Sequence, residues 1–320
     1  MVPTFLTKDG EVYINDLRRY AKGTILTPSQ ANLPVVTAAS SQSPPIAVEG
    51  PQDAITEIFS FMGQHGSADH ADVQARLTVL IRDLAYRREL MNRPVLANHV
   101  FGNGQRPLRL QESLMLENQQ TMVFEFRNDS ASGSSNFSLS LETRTFQGFG
   151  IAHPTVIKWR NEMRMRKAYL APYWLTSDSA ISIPVGATRD VFFSNTSDKF
   201  LLLCDIMASV ITTGSAGDEA AERFTFDLWD AKTNRKLMNQ PVTMNTGTGT
   251  SQYPFRLDDP MLIEPKTQVT GRFQNLLSDQ TIEVFFTFAG VQCMSDPATF
   301  APGQLIQPDA SGLPVGMGRY

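Results

Sequence analysis

The chain has 320 residues, enough for about two domains of ordinary size, and its 42% hydrophobic and 19% charged residues suffice to bury true cores. A formal net charge of −4 gives no reason to expect nucleic acid as the main partner. No 18-residue apolar run offers a membrane span, and MVPTFLTKDGEVY lacks the basic start and apolar stretch of a signal peptide.

From the N-terminus, residues 1–32 read as an arm with no capacity for a core. The remainder is organised by an internal repeat, the first thing to look for in a chain of this length. Residues 77–95, LTVLIRDLAYRRELMNRPV, lie over residues 224–242, FTFDLWDAKTNRKLMNQPV, at an offset of 147. Across 77–128 against 224–275 there are 17 identities in 52 ungapped positions, so the chain is a duplication. ITEIFSFMG at 55–63 falls over LLCDIMASV at 202–210 at the same offset. The copies are expected to span 33–147 and 180–293, with a connector at 148–179 and a tail over 294–320.

Each copy reads as β. Ile282, Val284, Phe286 and Phe288 alternate with Glu283, Thr287 and Ala289; Phe137, Leu139 and Leu141 alternate with Ser138, Ser140 and Glu142. Turn formers separate such runs, and the proline of LMNxP biases its predecessor toward extended structure. The pattern predicts an all-β chain: two tandem antiparallel sandwiches, jelly roll preferred and an immunoglobulin-like order left open. The connector differs. Pro154 suits a helix start and Pro172 a stop, with Val156, Trp159 and Met163 on one face and Arg160, Arg164 and Lys167 on another. A short amphipathic helix is expected there, its basic side solvated or docked on an acidic partner or nucleic acid.

Residues for chemistry are few. Cys204 and Cys293 make neither a metal spacing nor a disulfide framework and read as buried small hydrophobes. His65 and His70 are not spaced as a zinc pair, and Gly102-Asn103-Gly104 and Gly247-Thr248-Gly249 precede prolines rather than a helix, so no phosphate cradle is expected. Asp258-Asp259 is matched by Gln111-Glu112, which argues against a shared carboxylate dyad. Polar residues kept in both copies read as scaffold: Arg88, Asn92, Pro94, Arg109 and Glu117, with Arg235, Asn239, Pro241, Arg256 and Glu264. Glu117 and Glu264 are the expected partners of Arg109 and Arg256. The expectation is of no enzyme, no metal and no cofactor.

LMNxP followed by N…G…Q.P.RL and a late strand resembles jelly-roll-like modules in structural proteins of tailed phages, near the capsid and head–tail genes. YWLTSDSAISIPVGATRDVFFSN at 173–195 resembles how such modules begin. Two fused jelly rolls also resemble the double jelly-roll capsid proteins of membrane-containing phages. The resemblance implies a non-catalytic virion subunit in a shell, decoration, vertex or collar layer. Its partners would be copies of itself and other virion proteins, with no small-molecule substrate. In the tail, Phe300, Leu305, Ile306, Leu313 and Met317 would anchor the chain on neighbours. The alternative is a receptor- or carbohydrate-binding module, which needs exposed aromatics; only Trp159, Trp174 and Trp229 are tryptophans. A glycoside hydrolase would need two carboxylates across a cleft, and no pair stands out.

Overall fold

A computed structural model describes residues 21–26, 41–65, 76–130, 137–147, 169–212 and 223–293, apart from residues 43, 53, 231, 233 and 234, together with Asn161 and Lys167. Residues 1–20, most of the expected connector helix and the tail with Phe300, Leu305, Ile306, Leu313 and Met317 lie outside the described residues.

The first copy contains β1 (Ala21–Leu26), β2 (Ser41–Gln42), β3 (Ile46–Glu49), β4 (Ala54–His65), β5 (Leu77–Asp83), β6 (Arg88–Glu89), β7 (Val95–Leu96), a helical turn α1 (Ala97–Val100), β8 (Leu108–Leu116), β9 (Thr121–Asn128) and β10 (Phe137–Gln147). The second repeats the series as β11 (Leu170–Thr176), β12 (Ile181–Ile183), β13 (Thr188–Ser194), β14 (Phe200–Thr212), β15 (Phe224–Asp230), β16 (Arg235–Lys236), β17 (Val242–Thr243), α2 (Met244–Gly247), β18 (Phe255–Ile263), β19 (Gln268–Asn275) and β20 (Ile282–Cys293).

One sheet of the first copy runs β1-β10-β4-β8 and its partner sheet β2-β9-β5-β6, with β3 extending the β2 edge along β9. The second copy repeats this as β11-β20-β14-β18 and β13-β19-β15-β16. In both, the first strand lies beside the last, and the next to last is flanked by an early strand. These are β2 and β3 beside β9 in the first copy and β13 beside β19 in the second, where β12 adds to the end of β20. This nested order is the jelly roll, and it removes the immunoglobulin-like alternative. Two stretches read from the sequence as arm and connector are strands: residues 21–26 pair with β10, and residues 170–176 pair with β20.

The repeat is not ungapped throughout. Ser60 pairs with Arg109, and Asp205 with Arg256, each just after a register shift at Ile58/Ser60 or Leu203/Asp205. β4 and β14 are therefore equivalent at an offset of 145, while β8 and β18 keep 147. The expected 147-residue alignment of β4 with β14 is displaced by one pleat. A slip of two keeps every side chain on its own face, so apolar alternation cannot detect it.

Each sandwich closes over its own aromatic core. In the first, Phe101 packs against Phe61, Phe124, Phe126 and Phe137. In the second, Phe286 sits edge-on to Phe226, Phe273 and Phe288. Apart from Phe101, which follows α1, these residues come from facing strands, with Phe124 and Phe126 and Phe286 and Phe288 at alternate positions, as period-two patterning requires. Gly102 and Gly249 explain the glycine runs. Gly102 exchanges backbone hydrogen bonds with Phe61 and Gly63, and Gly249 with Ile206 and Ala208. A Cβ there would meet the Arg106 carbonyl at 2.1 Å or the Tyr253 carbonyl at 1.9 Å, so only glycine lets the chain lie against the sheet.

Candidate functional site: the junction between the two jelly rolls

β20 changes character along its length. Ile282–Phe285 alternates buried and half-buried residues, whereas every residue from Phe286 to Cys293 is buried. The inward side chains fill the second core. The outward ones are small or polar, and there the first jelly roll packs: Met207 of β14 and Ala289 of β20 belong to the first domain's hydrophobic core. β11 and the C-terminal part of β20 are thus covered on both faces, and the junction is a continuation of the first core.

β11 serves both domains. Tyr173 and Leu175 point into the second core, while Ala171 and Trp174 complete the first. Trp174 is only 2% exposed and stacks on Phe61 at 5.9 Å between centroids. On its free edge β11 meets the loop after β6. Trp174 N–H donates to the Leu90 carbonyl (2.9 Å) and its carbonyl accepts from Asn92 N–H (3.3 Å). The Asn92 side chain closes the contact, donating from Nδ2 to the Thr176 carbonyl (2.8 Å) and accepting from Thr176 N–H (2.9 Å). Arg88, held by Asp83 (Nε to Oδ2, 3.0 Å), donates to the carbonyls of Lys167 (2.7 Å) and Leu170 (3.4 Å). Burial raises the Asp83 pKa, and the adjacent guanidinium opposes that rise.

Lys167 corrects the expectation of a solvated basic face at its own position. It is buried, with its ammonium on the Glu112 carboxylate and on Ser113 Oγ (2.7 Å); Ser113 in turn donates to Glu57 (2.6 Å). A buried cation needs such a partner. Arg160 and Arg164 lie outside the described residues.

At the centre of the interface stands His99, on α1. Nδ1 is 2.9 Å from Thr287 Oγ1 on β20, and Nε2 is 2.9 Å from Ser209 Oγ on β14. Complete burial pushes its pKa down to about 3, so the ring is neutral at ordinary pH, one nitrogen donating and the other accepting. A hydroxyl on an imidazole suggests a nucleophile and base. A base with that pKa holds a transferred proton poorly near neutrality, and this one is closed off from solvent. The ring acts as a clamp between domains. Around it, Gln111 bonds Asp205, which also pairs with Arg256 (3.1 Å), and Ser251 Oγ donates to the Phe101 carbonyl (2.6 Å). Burial raises the Asp205 pKa against the lowering effect of Arg256.

Arg109 and Arg256 do not take the partners expected of them. Arg109 pairs with Glu142 (3.1 Å) and Arg256 with Asp205, while Glu264 meets Lys232. Glu117 lies at the β8–β9 turn, its N–H donating to Gln120 Oε1 (2.9 Å). The reason is sheet geometry: Arg109 and Arg256 project across their own sheet, while Glu117 and Glu264 lie beyond its end. Pro94 and Pro241 are exposed and lead into β7 and β17. Arg235 and Asn239 are also exposed, although Arg88 is buried and Asn92 bridges the domains. His99 carries no motif that marks it in the sequence. Its one signal is a difference between the copies, since Thr246 stands at its place in the second.

Among the described residues, no three His, Cys, Asp or Glu side chains are grouped to hold a metal ion, and no helix is long and apolar enough to cross a membrane. Burial pushes the Cys204 and Cys293 thiols up to about 12, away from reactive thiolates. For a glycan platform, Trp174 is buried, Trp229 lies under Arg272 (5.4 Å), and Trp159 is outside the described residues.

No protein-family model and no curated protein matches the chain. Among solved structures it is similar to the STIV MCP, with TM-score 0.42 and 10% identity over 88% of this chain and 98% of that one. A second similar chain comes from the atomic structure of Sulfolobus turreted icosahedral virus, with TM-score 0.40 and 10% identity over 85% and 91% of the two chains. PNGase F, a glycosylasparaginase from Flavobacterium meningosepticum, is similar at TM-score 0.34 and 10% identity over 84% and 96%. The jelly-roll order of both sandwiches stands on their own strand pairing.

Proposed function

We propose that this chain is a non-catalytic structural subunit of a virion, two jelly rolls locked into one block that tiles with others into a shell. The observation that carries this reading is the double covering of β11 and the C-terminal part of β20. The polar residues best placed for chemistry, His99, Lys167, Glu112 and Arg88, are buried or committed to holding the two domains together. A rigid two-domain block suits repeated packing better than substrate turnover, which needs an open cleft. The resemblance of the LMNxP segments to phage modules supports a tailed or membrane-containing bacteriophage as the setting. The tail over 294–320 would then clamp neighbouring subunits through Phe300, Leu305, Ile306, Leu313 and Met317.

The test is assembly of the purified full chain, followed by sedimentation and negative-stain microscopy, with a 296–320 deletion alongside. Regular particles or sheets are expected from the full chain, and discrete folded subunits from the deletion. A full chain that stays monomeric at all concentrations overturns the shell reading. A deletion that assembles as well as the full chain overturns the clamp.

A further inference from the structure

Within the chain, the loop Arg88–Asn92 of the first jelly roll grips the opening strand of the second. The repeat places the same four residues, Arg235, Leu237, Met238 and Asn239, at the far end of the second jelly roll. The backbone there is set the same way: Leu237 N–H donates to the Leu228 carbonyl (2.8 Å) as Leu90 N–H does to Ile81 (3.0 Å). Leu90 and Met91 are buried, yet Leu237 is 40% exposed and Asn239 is exposed as well. The difference continues along the neighbouring strand. Leu108 and Met115 of β8 are buried, while their counterparts on β18, Phe255 and Leu262, are 40% and 48% exposed.

The complementary half is present too. Trp174 pairs with Ala289, and the equivalent pair in the first jelly roll is Ile25 with Glu142. Trp174 is buried against the Arg88–Asn92 loop, but Ile25 on β1 is 65% exposed. One end of the molecule thus repeats the gripping loop and the other repeats the gripped strand. Both present apolar surface where the internal junction has none.

We infer that the loop Arg235–Asn239 of one subunit binds strand β1 of a second copy of this chain, repeating between subunits the edge contact made within each. Leu237 C=O and Asn239 N–H would bond the backbone of Ile25. Arg235 would take the carbonyl at Ala21. Met238 would lie against Ile25 as Met91 lies against Trp174. The centre of the internal interface is not copied, since Thr246, Gln64 and Ser140 replace His99, Ser209 and Thr287. The inference rests on the edge contact and its apolar flank. The contact is heterologous, with donor and acceptor on different surfaces, so repetition gives a ring if the rotation closes and a chain if it does not. This deepens the shell-subunit reading and rests on it.

The test is a full-length chain carrying I25C and M238C together. Met91 and Trp174 are partners in a parallel backbone bridge between the loop after β6 and β11, and the usual separation of such partners, about 4.8 Å, falls within the span of a disulfide. Mild oxidation should give a ladder of covalent multimers on a non-reducing gel. Each single variant should give dimers at most, and I25C/V185C, a pair at unrelated exposed positions, should give no ladder. Melting curves matching the parent show that the variants fold. A ladder from the control as strong as from the designed pair overturns the inference, because random collision then explains it. Particles by sedimentation with no ladder overturn the interface and leave the shell reading standing. Monomers with no ladder overturn both.

Discussion

The loops Arg88–Asn92 and Arg235–Asn239 share the sequence R-x-L-M-N and the same attachment to their sheets, yet one is interior and the other is surface. The difference lies in the chain downstream of each copy. After the first copy comes a strand that Arg88 and Asn92 hold by its carbonyls and amides. The second copy ends at β20 without such a strand among the described residues. Identity between repeats therefore reports a shared backbone demand, and environment decides the energetic weight of each residue.

The largest break in this comparison should come from Trp174→Ala. It removes a buried ring from the first core and opens a cavity, costing about 4 kcal/mol in denaturant unfolding. Ile25→Ala at the equivalent register should change the stability of the dilute subunit by no more than about 0.5 kcal/mol. Equal effects would show that β11 does not close the first core.

Arg88→Met comes next. It strands the Asp83 carboxylate in the interior and frees two carbonyls, for a loss of about 3 kcal/mol. Arg235→Met, on an exposed side chain, should stay within about 0.5 kcal/mol by the same measurement. If Arg235→Met proves the costlier, the two loops have been ranked wrongly.

The smallest effect sharpens the comparison through pH. His99 is neutral when buried, with a pKa near 3, and titrates near 6.5 when unfolded. Between those values the unfolded state binds more protons, so the stability His99 contributes is intact above about pH 6.5 and falls as pH drops toward 3. The raised pKa values of Asp83 and Asp205 act in the opposite sense, so the wild-type profile mixes both. The difference between wild type and His99→Gln isolates the histidine. Relative to the variant, wild type should lose roughly 1 kcal/mol per pH unit between pH 6 and 4.5. A pH-independent difference would mean that the ring is hydrated at the junction.

Much of the fold was legible because its signals are periodic. The repeat located two equivalent domains, and alternation in runs such as Ile282–Phe288 marked sandwich strands. Strand order was not legible, since jelly-roll and immunoglobulin patterns share the same short alternating runs. The slip between β4 and β14 was hidden by the two-residue pleat. LAPYWLT read as the end of a connector because Pro172 suggested a helix stop, yet proline is tolerated in an edge strand such as β11. The junction was the least legible part. Nothing in a linear pattern says that Trp174 completes the domain before it, or that Lys167 turns inward to Glu112 when its spacing matches a basic face.

The placement of Trp174 has a consequence for how the chain is made. During synthesis, β10 leaves the ribosome before β11 does, and β14 and β20 emerge later still. The first jelly roll therefore emerges without Ala171, Trp174, Met207 and Ala289, four members of its own core. Its sheets can pair early, but the apolar face beside Phe61 stays open until the second domain arrives to cover it. The first half should then behave as a nascent intermediate with exposed apolar surface, and the finished molecule should unfold in one transition rather than two. Duplication gave this protein two domains by sequence, and the borrowed tryptophan makes them one folding unit.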